Sequence, residues 1–206
     1  MTSRTTITPE KDPAAWWRRL CHILGTRLVL SGDLDSHRPT AQLQIAEWIA
    51  AGITHIIDVR DEWSDQALVA EIAPHLQYIH LGVDDAGQPM EDEWFEAGVT
   101  AALEALRDPD SRVLVHCHMG VNRGPSMGFA ILLALGFSTR RALKAIVDAR
   151  PIAAILYATD ALNWWHRRDG ISPSLAHLDL IALDEWERHE RPDARWVINR
   201  IRQAGG

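Results

Sequence analysis

Apolar positions along the chain follow two rhythms, and their alternation predicts the architecture. Residues 54–59 (THIIDV) form a β-branched run, the pattern of a buried strand, 77–83 return as a strand, and 112–116 (RVLVH) are a short apolar strand. Residues 27–30 form a fourth such run, ending at Ser31-Gly32. Between these runs the apolar residues fall three and four apart, as on helices. Asp12 and Pro13 read as the cap and first residue of an amphipathic helix running to Leu24. Thr40 is placed to cap a helix over 41–51 that Gly52 closes. Further helices are predicted over 64–73 and over 91–107, where Trp94, Val99, Leu103 and Leu106 keep helical spacing. Others are predicted over 126–135, over 138–149 behind a Ser138 cap, and over 153–167. Residues 84–90, with Gly87 and Pro89, must be loop.

Strands separated by helices imply an α/β fold, with a central, mostly parallel sheet flanked by helices. Residues 171–206 fall outside that alternation and read as two extra C-terminal helices hinged near Pro192. The predicted organisation is an N-terminal helical segment (1–25) packed on the core, an α/β domain (26–170) and a C-terminal helical extension (171–206).

Composition narrows the choices. The longest apolar run, residues 129–135, is about a third of what crosses a bilayer, and the N-terminus has no apolar signal core. Two cysteines, Cys21 and Cys117, imply no disulfide framework and fit a reducing, cytoplasmic setting. A formal charge of −7 opposes nucleic acid or an anionic membrane as the main partner. Eight of the nine tryptophans fall in helix-like segments, where core or interface packing explains them.

The chemistry concentrates in residues 116–123, His-Cys-His-Met-Gly-Val-Asn-Arg, between a strand and a helix. A glycine-containing turn there points successive backbone N–H groups and a helix N-terminus at one spot, a site for an anion. Cys117 and Arg123 both face that spot if the turn wraps around it. The positive field is expected to lower the thiol from about 8.5 to roughly 4–7, making Cys117 a thiolate. Arg123 supplies a planar fork that grips two phosphoryl oxygens, a geometry lysine cannot match.

His-Cys-x5-Arg between strand and helix resembles the cysteine-dependent tyrosine phosphatase superfamily, in particular its dual-specificity branch. The resemblance spans roughly residues 26–167. It implies a phosphatase acting on phosphorylated proteins, or on small phosphomonoesters, through a cysteinyl-phosphate on Cys117. It also implies phosphoryl oxygens bound by the amides of His118, Met119, Gly120, Val121, Asn122 and Arg123, with His116 steadying the loop and thiolate. No cofactor or metal is implied. The family draws its general acid from a loop about thirty residues upstream; Asp85 lies 32 positions ahead of the cysteine, with Asp84 as the alternative. A neighbouring carboxylate helps either one hold its proton.

One position departs from the family. A serine or threonine ordinarily follows the arginine, and its hydroxyl eases departure of the thiolate; here Gly124 follows, with Ser126 two residues on. That departure predicts slow hydrolysis of the phospho-enzyme, and it is the one sequence feature favouring a catalytically weak phosphate-binding module. Sulfur transfer fits less well, since such loops are typically one residue shorter. A metal site at His116, Cys117 and His118 lacks a second ligand cluster. The loop has no lysine, which argues against inositol lipids and leaves a phosphorylated protein side chain as the default substrate.

The turn 58–61 reads as a salt-bridged turn beside the site, residues 163–168 as closure of the core, and Cys21 as an inert thiol on an apolar helix face. The C-terminal helices pack on the domain, mediate self-association or shape substrate access. The sequence leaves these three roles, and the oligomeric state, open.

Overall fold

The structure is a computed structural model that describes residues 16–205. A five-stranded sheet is built from β1 (Cys21–His22), β2 (Leu28–Ser31), β3 (His55–Arg60), β4 (Gln77–Val83) and β5 (Val113–His116), in the order β1-β2-β5-β3-β4. Only the β1–β2 pair is antiparallel. The described residues form eight helices: α1 (Arg38–Ala50), α2 (Gln66–Ile72), α3 (Asp92–Ala105), α4 (Arg123–Ala134), α5 (Thr139–Ala149), α6 (Ala158–Arg168), α7 (Pro173–His189) and α8 (Ala194–Gln203).

The central strands β2, β3 and β5 are largely apolar because both faces of the sheet are covered there, whereas the edge strand β4 is more polar and more exposed. Leu28, Leu30, Ile57, Val59, Val113 and Val115 point into the core beneath α3–α6. Val29, Ile56 and Leu114, one position out of phase, meet Ile45, Trp48 and Val69 of α1 and α2 on the other face. Each such side chain contributes about 1.5–3 kcal/mol by leaving water. Register places Ser31, His116 and Asp58 in one row at the carboxyl ends of the three central strands. Open α/β sheets place their ligands beyond that end, and Cys117 is the next residue of β5.

Helix ends depart from expectation in instructive ways. The helix α1 begins at Arg38, with Pro39 in its first turn, so Thr40 lies inside it rather than at its cap. The Asp12–Pro13 helix start lies outside the described residues. Its expected continuation to Leu24 is replaced by turns around Trp16 and Trp17 and by strand β1. Burial there alternates, with Cys21 and Ile23 inside and His22 outside, a strand period; Cys21 therefore lies on a sheet edge and not on a helix face. The helix expected from 153 starts only at Ala158, because Ile155 adopts a left-handed φ of 48° that no helix accommodates. The extension folds as two helices. Ser172 caps α7 by accepting from the Leu175 amide, and Asp193 caps α8 by accepting from Trp196 at 3.0 Å.

Candidate active site

Strand β5, the turn 117–122 and helix α4 form the strand–turn–helix expected around Cys117. The turn depends on Gly120, whose φ is +61°; a Cβ there would lie 2.2 Å from Arg150 Nη2 and 2.5 Å from the Ser31 carbonyl. Arg150 is fully buried and holds the loop from behind. Its Nε donates to the Gly120 carbonyl at 2.6 Å, and its Nη2 donates to the carbonyls of Met119 (3.0 Å) and Trp17 (2.5 Å). With those carbonyls drawn outward, the amides of Gly120 and Gly124 are free to reach the Cys117 sulfur.

Cys117 sits at the base of a cavity of about 270 Å³, lined also by Glu62, Asp85, Leu156 and Arg123. A larger cavity of about 590 Å³, around His22, Phe137 and Arg141, carries no nucleophile and is lined by none of the loop residues. Arg123 is nearly inaccessible and its fork is already engaged. Nη1 and Nη2 donate to Glu62 at 2.9 and 2.6 Å, and Nη1 also donates to the Val83 carbonyl at 2.8 Å. Its Nε edge is buried without a hydrogen-bond partner and lies 3.4 Å from Asp85 Oδ2. That edge is the one left to receive a phosphoryl oxygen. Burial works against ionisation of Glu62, but the hydrogen bond and charge of Arg123 outweigh it and hold the carboxyl below its usual range.

The thiol departs from the lowered value expected of it. Burial pushes Cys117 up and Asp85 adds to the push, against Arg123 and the amides of Gly124 and Gly120. The physical reason is first the complete burial of the sulfur, which disfavours its charged form, and then the negative charge of Asp85, which offsets part of the Arg123 field.

Asp85 and Asp84 are separated by geometry. Asp85 turns into the cavity, where its Oδ1 accepts from Asn122 Nδ2 at 2.6 Å and from the Tyr157 hydroxyl at 3.0 Å. Asp84 turns back on its own loop and accepts from the Asp85 amide. Burial and the adjacent Asp85 push the Tyr157 hydroxyl up to about 12, so it remains a donor. Asn122 is a junction: its Oδ1 accepts from the Leu156 amide at 2.7 Å and from Ser126 Oγ at 3.2 Å. The amides of Ala154 and Ile155 donate to the Val121 carbonyl, so the left-handed turn at Ile155 clasps the loop's far side.

His116 is completely buried beside Trp48, with no hydrogen-bond partner on either ring nitrogen among the described residues; Asp58 lies 3.9 Å from Nδ1. Burial holds its pKa below the usual value, so the ring is neutral. The ring packs behind the loop. His118 leans outward, with Nδ1 2.7 Å from buried Asp33 and its ring edge-on to Trp63 at 5.0 Å. Asp33 also receives Arg18 Nε at 3.1 Å and faces Arg60 Nη1 at 3.5 Å. Arg60 spans Asp58 and Asp65, completing a salt-bridged turn at 58–61.

The structure thus gathers Cys117, Arg123, Asp85 and the 118–122 turn. It adds Glu62, Tyr157 and Arg150, which the sequence reading passed over. Their signals were a carboxylate just beyond a strand's C-terminal end and an Arg-Pro helix stop. Among the described residues no cluster of three or more His, Cys, Asp or Glu could hold a metal ion.

Comparison with known proteins agrees with this fold. The family described as "Dual specificity phosphatase, catalytic domain" matches residues 38–187. The phosphatase domain of Yvh1 from Chaetomium thermophilum superposes with a TM-score of 0.58 at 24% identity, covering 75% of this chain and 99% of that one. Human DUSP28 gives 0.57 at 20% identity, with 73% and 95% covered. PTPMT1 in complex with PI(5)P gives 0.56 at 17% identity, with 69% and 92% covered.

Proposed function

The chain belongs to the dual specificity phosphatase family and is a cysteine-dependent phosphatase, and from that premise we propose that it hydrolyses phosphotyrosine, and more slowly phosphoserine or phosphothreonine, on proteins through a cysteinyl-phosphate. The observation that carries the reading is the meeting of Cys117, the open Nε edge of Arg123 and the Asp85 carboxyl on one small cavity. Apolar walls from Val121, Leu156 and Ile198 suit an aromatic ring behind the phosphate. Inositol lipid, the ligand of the PTPMT1 complex, is a poorer fit to a loop without lysine. Among the described residues no helix is long and apolar enough to cross a membrane. A nucleophilic thiol needs reducing surroundings, so the reading places the enzyme in the cytoplasm. Its catalytic unit is residues 26–170, with 171–206 packed against it.

In the first step the Cys117 thiolate attacks phosphorus, the S–P bond forms, and the bond to the ester oxygen breaks as Asp85 gives that oxygen its proton. In the second step water attacks phosphorus while Asp85 takes a proton from it, and the S–P bond breaks to return thiolate and inorganic phosphate. Arg123 and the loop amides hold the equatorial oxygens throughout. Asn122 and Tyr157, donating to Asp85, fix where the acid stands.

Asp85→Asn tests the assignment. With phenyl phosphate, whose leaving group needs a proton, kcat is expected to fall about 10²–10⁴-fold and the basic limb of the pH–rate profile to disappear. An unchanged profile would move the acid to Asp84.

The missing hydroxyl after Arg123 gives a second test. Ser126 does not replace it, because its Oγ donates to Asn122 and accepts from the Tyr157 amide. A stopped-flow burst followed by slow turnover is therefore expected, with Gly124→Ser raising the steady-state rate and leaving the burst rate alone. The new Cβ would lie 3.2 Å from the Cys117 amide nitrogen, close enough to place a hydroxyl beside the sulfur after a small adjustment. No burst, together with unchanged turnover in Gly124→Ser, would sink the idea. The rival reading, a phosphate-binding relative with little turnover, rests on Gly124 alone; wild-type turnover of an aryl phosphate no faster than that of Cys117→Ser would favour it.

A further inference from the structure

The cavity above Cys117 has one wall that the family match does not reach. That match ends at residue 187, and α8 begins at Ala194. Val197 and Ile201, one helical turn apart, are buried with Trp17, Val121 and Ala154, so a stripe of α8 sits on the phosphate loop itself. The Asp193 cap sets where the helix starts and hence which residues face inward. One position further round, Ile198 and Arg202 repeat the same spacing and line the cavity that contains Cys117, Arg123 and Asp85.

Arg202 is exposed at the edge of this cavity. The two carboxylates of the cavity, Glu62 and Asp85, both lie against Arg123 instead. The overall charge of the chain is negative, so a guanidinium at this mouth is a local exception that an anionic substrate would meet. It is too peripheral to belong to the phosphate cradle, which the loop amides and Arg123 complete. A second negative group, next to the phosphate on the substrate, is what an arginine in this place recognises.

We propose that α8 is part of the active site, and that Arg202 selects phosphomonoesters carrying a second anionic group beside the phosphate, in a protein substrate an acidic residue flanking the phosphotyrosine. The proposal rests on the phosphatase reading for its substrate and on α8 alone for its selectivity. Position 202 is a specificity determinant and takes no part in bond making. A second phosphate on a small polyol offers the same chemistry from another source.

The test compares two phosphotyrosine peptides, one with acidic flanking residues and one with neutral ones, binding to the Cys117→Ser protein by calorimetry. The acidic peptide is expected to bind about 3–5-fold more tightly at low salt, a typical gain for an exposed ion pair, with the gap closing at about 0.5 M salt. Arg202→Gln should erase the preference and Arg202→Glu should invert it, an inversion that loss of structure would not produce. A polyol bisphosphate and its monophosphate, measured against the same three proteins, separate the two sources of the second anion. Failure of both acidic peptide and bisphosphate to gain over their partners, or a preference that survives Arg202→Glu, overturns the proposal. Wild-type turnover of an aryl phosphate is read separately, so failure of the enzymatic reading is distinguishable from failure of the selectivity.

Discussion

Replacing Cys117 with serine is expected to lower phosphatase turnover by at least about 10⁴-fold while leaving oxyanion binding in place. The sulfur attacks as a thiolate, the form that Arg123 and the amides of Gly124 and Gly120 favour against the burial that pushes the thiol up. A serine hydroxyl ionises many orders of magnitude less readily. The pocket offers it no free base, since among the described residues His116 is buried behind the loop without a partner, Glu62 is held by Arg123 and Asp85 is the proposed acid. Binding survives because the donors that hold phosphate belong to the backbone and to Arg123, none of which the substitution touches. Turnover of an aryl phosphate, with the dissociation constant of inorganic phosphate measured in parallel, separates the two quantities. Residual activity within tenfold of wild type would remove Cys117 from its role as nucleophile.

The second large effect is expected at Arg123, where even lysine should cost about 10³-fold in kcat/KM. The arginine performs several tasks at once: it braces Glu62 with one fork, ties to the Val83 carbonyl, and keeps its Nε edge toward the cavity. A lysine ammonium offers one compact head and cannot brace Glu62 while presenting a planar edge to two phosphoryl oxygens. Left without its partner, the Glu62 carboxylate would also stand beside the incoming phosphate and repel it. Both kcat and the apparent affinity for phosphate should fall, and the Cys117 thiol should titrate at higher pH because its main opposing cation is less well placed. Absorbance of the thiolate near 240 nm follows that titration. A loss in kcat/KM below tenfold would mean that the loop amides alone suffice.

Much of this site could be read from residues 112–135, because local sequence determines a strand–turn–helix and the chemistry of Cys117 and Arg123 follows from it. The loop of the proposed acid was legible for a similar reason: Asp84 and Asp85 sit between a clear strand and a clear helix, and only which of them turns into the cavity needed coordinates. What escaped was long-range. Glu62 reaches Arg123 from 61 residues away and Arg150 reaches Gly120 from 30, and neither pairing leaves a periodic trace. The misread stretch 153–157 shows the opposite problem. Its run of apolar residues satisfies a helical pattern, yet Ala153, Ala154 and Ile155 are apolar because they are buried beside the phosphate loop, and the backbone at Ile155 leaves the right-handed region there. Burial fixed the composition there while the tertiary contact fixed the conformation. The stretch from Trp16 to Leu24 failed similarly, as edge pairing of Cys21 and His22 with β2 took precedence over an amphipathic pattern.

Gly120 and Arg150 also constrain how this chain can diversify. The guanidinium occupies the space that any side chain at 120 would enter, and the absence of that side chain is what lets three backbone carbonyls share one buried cation. A substitution at either position therefore removes the value of the residue at the other, and the two should show strong mutational coupling even though neither meets substrate. Among related sequences the pair is expected to be inherited together or lost together, a thirty-residue linkage that marks chains still able to hold the loop open for an oxyanion.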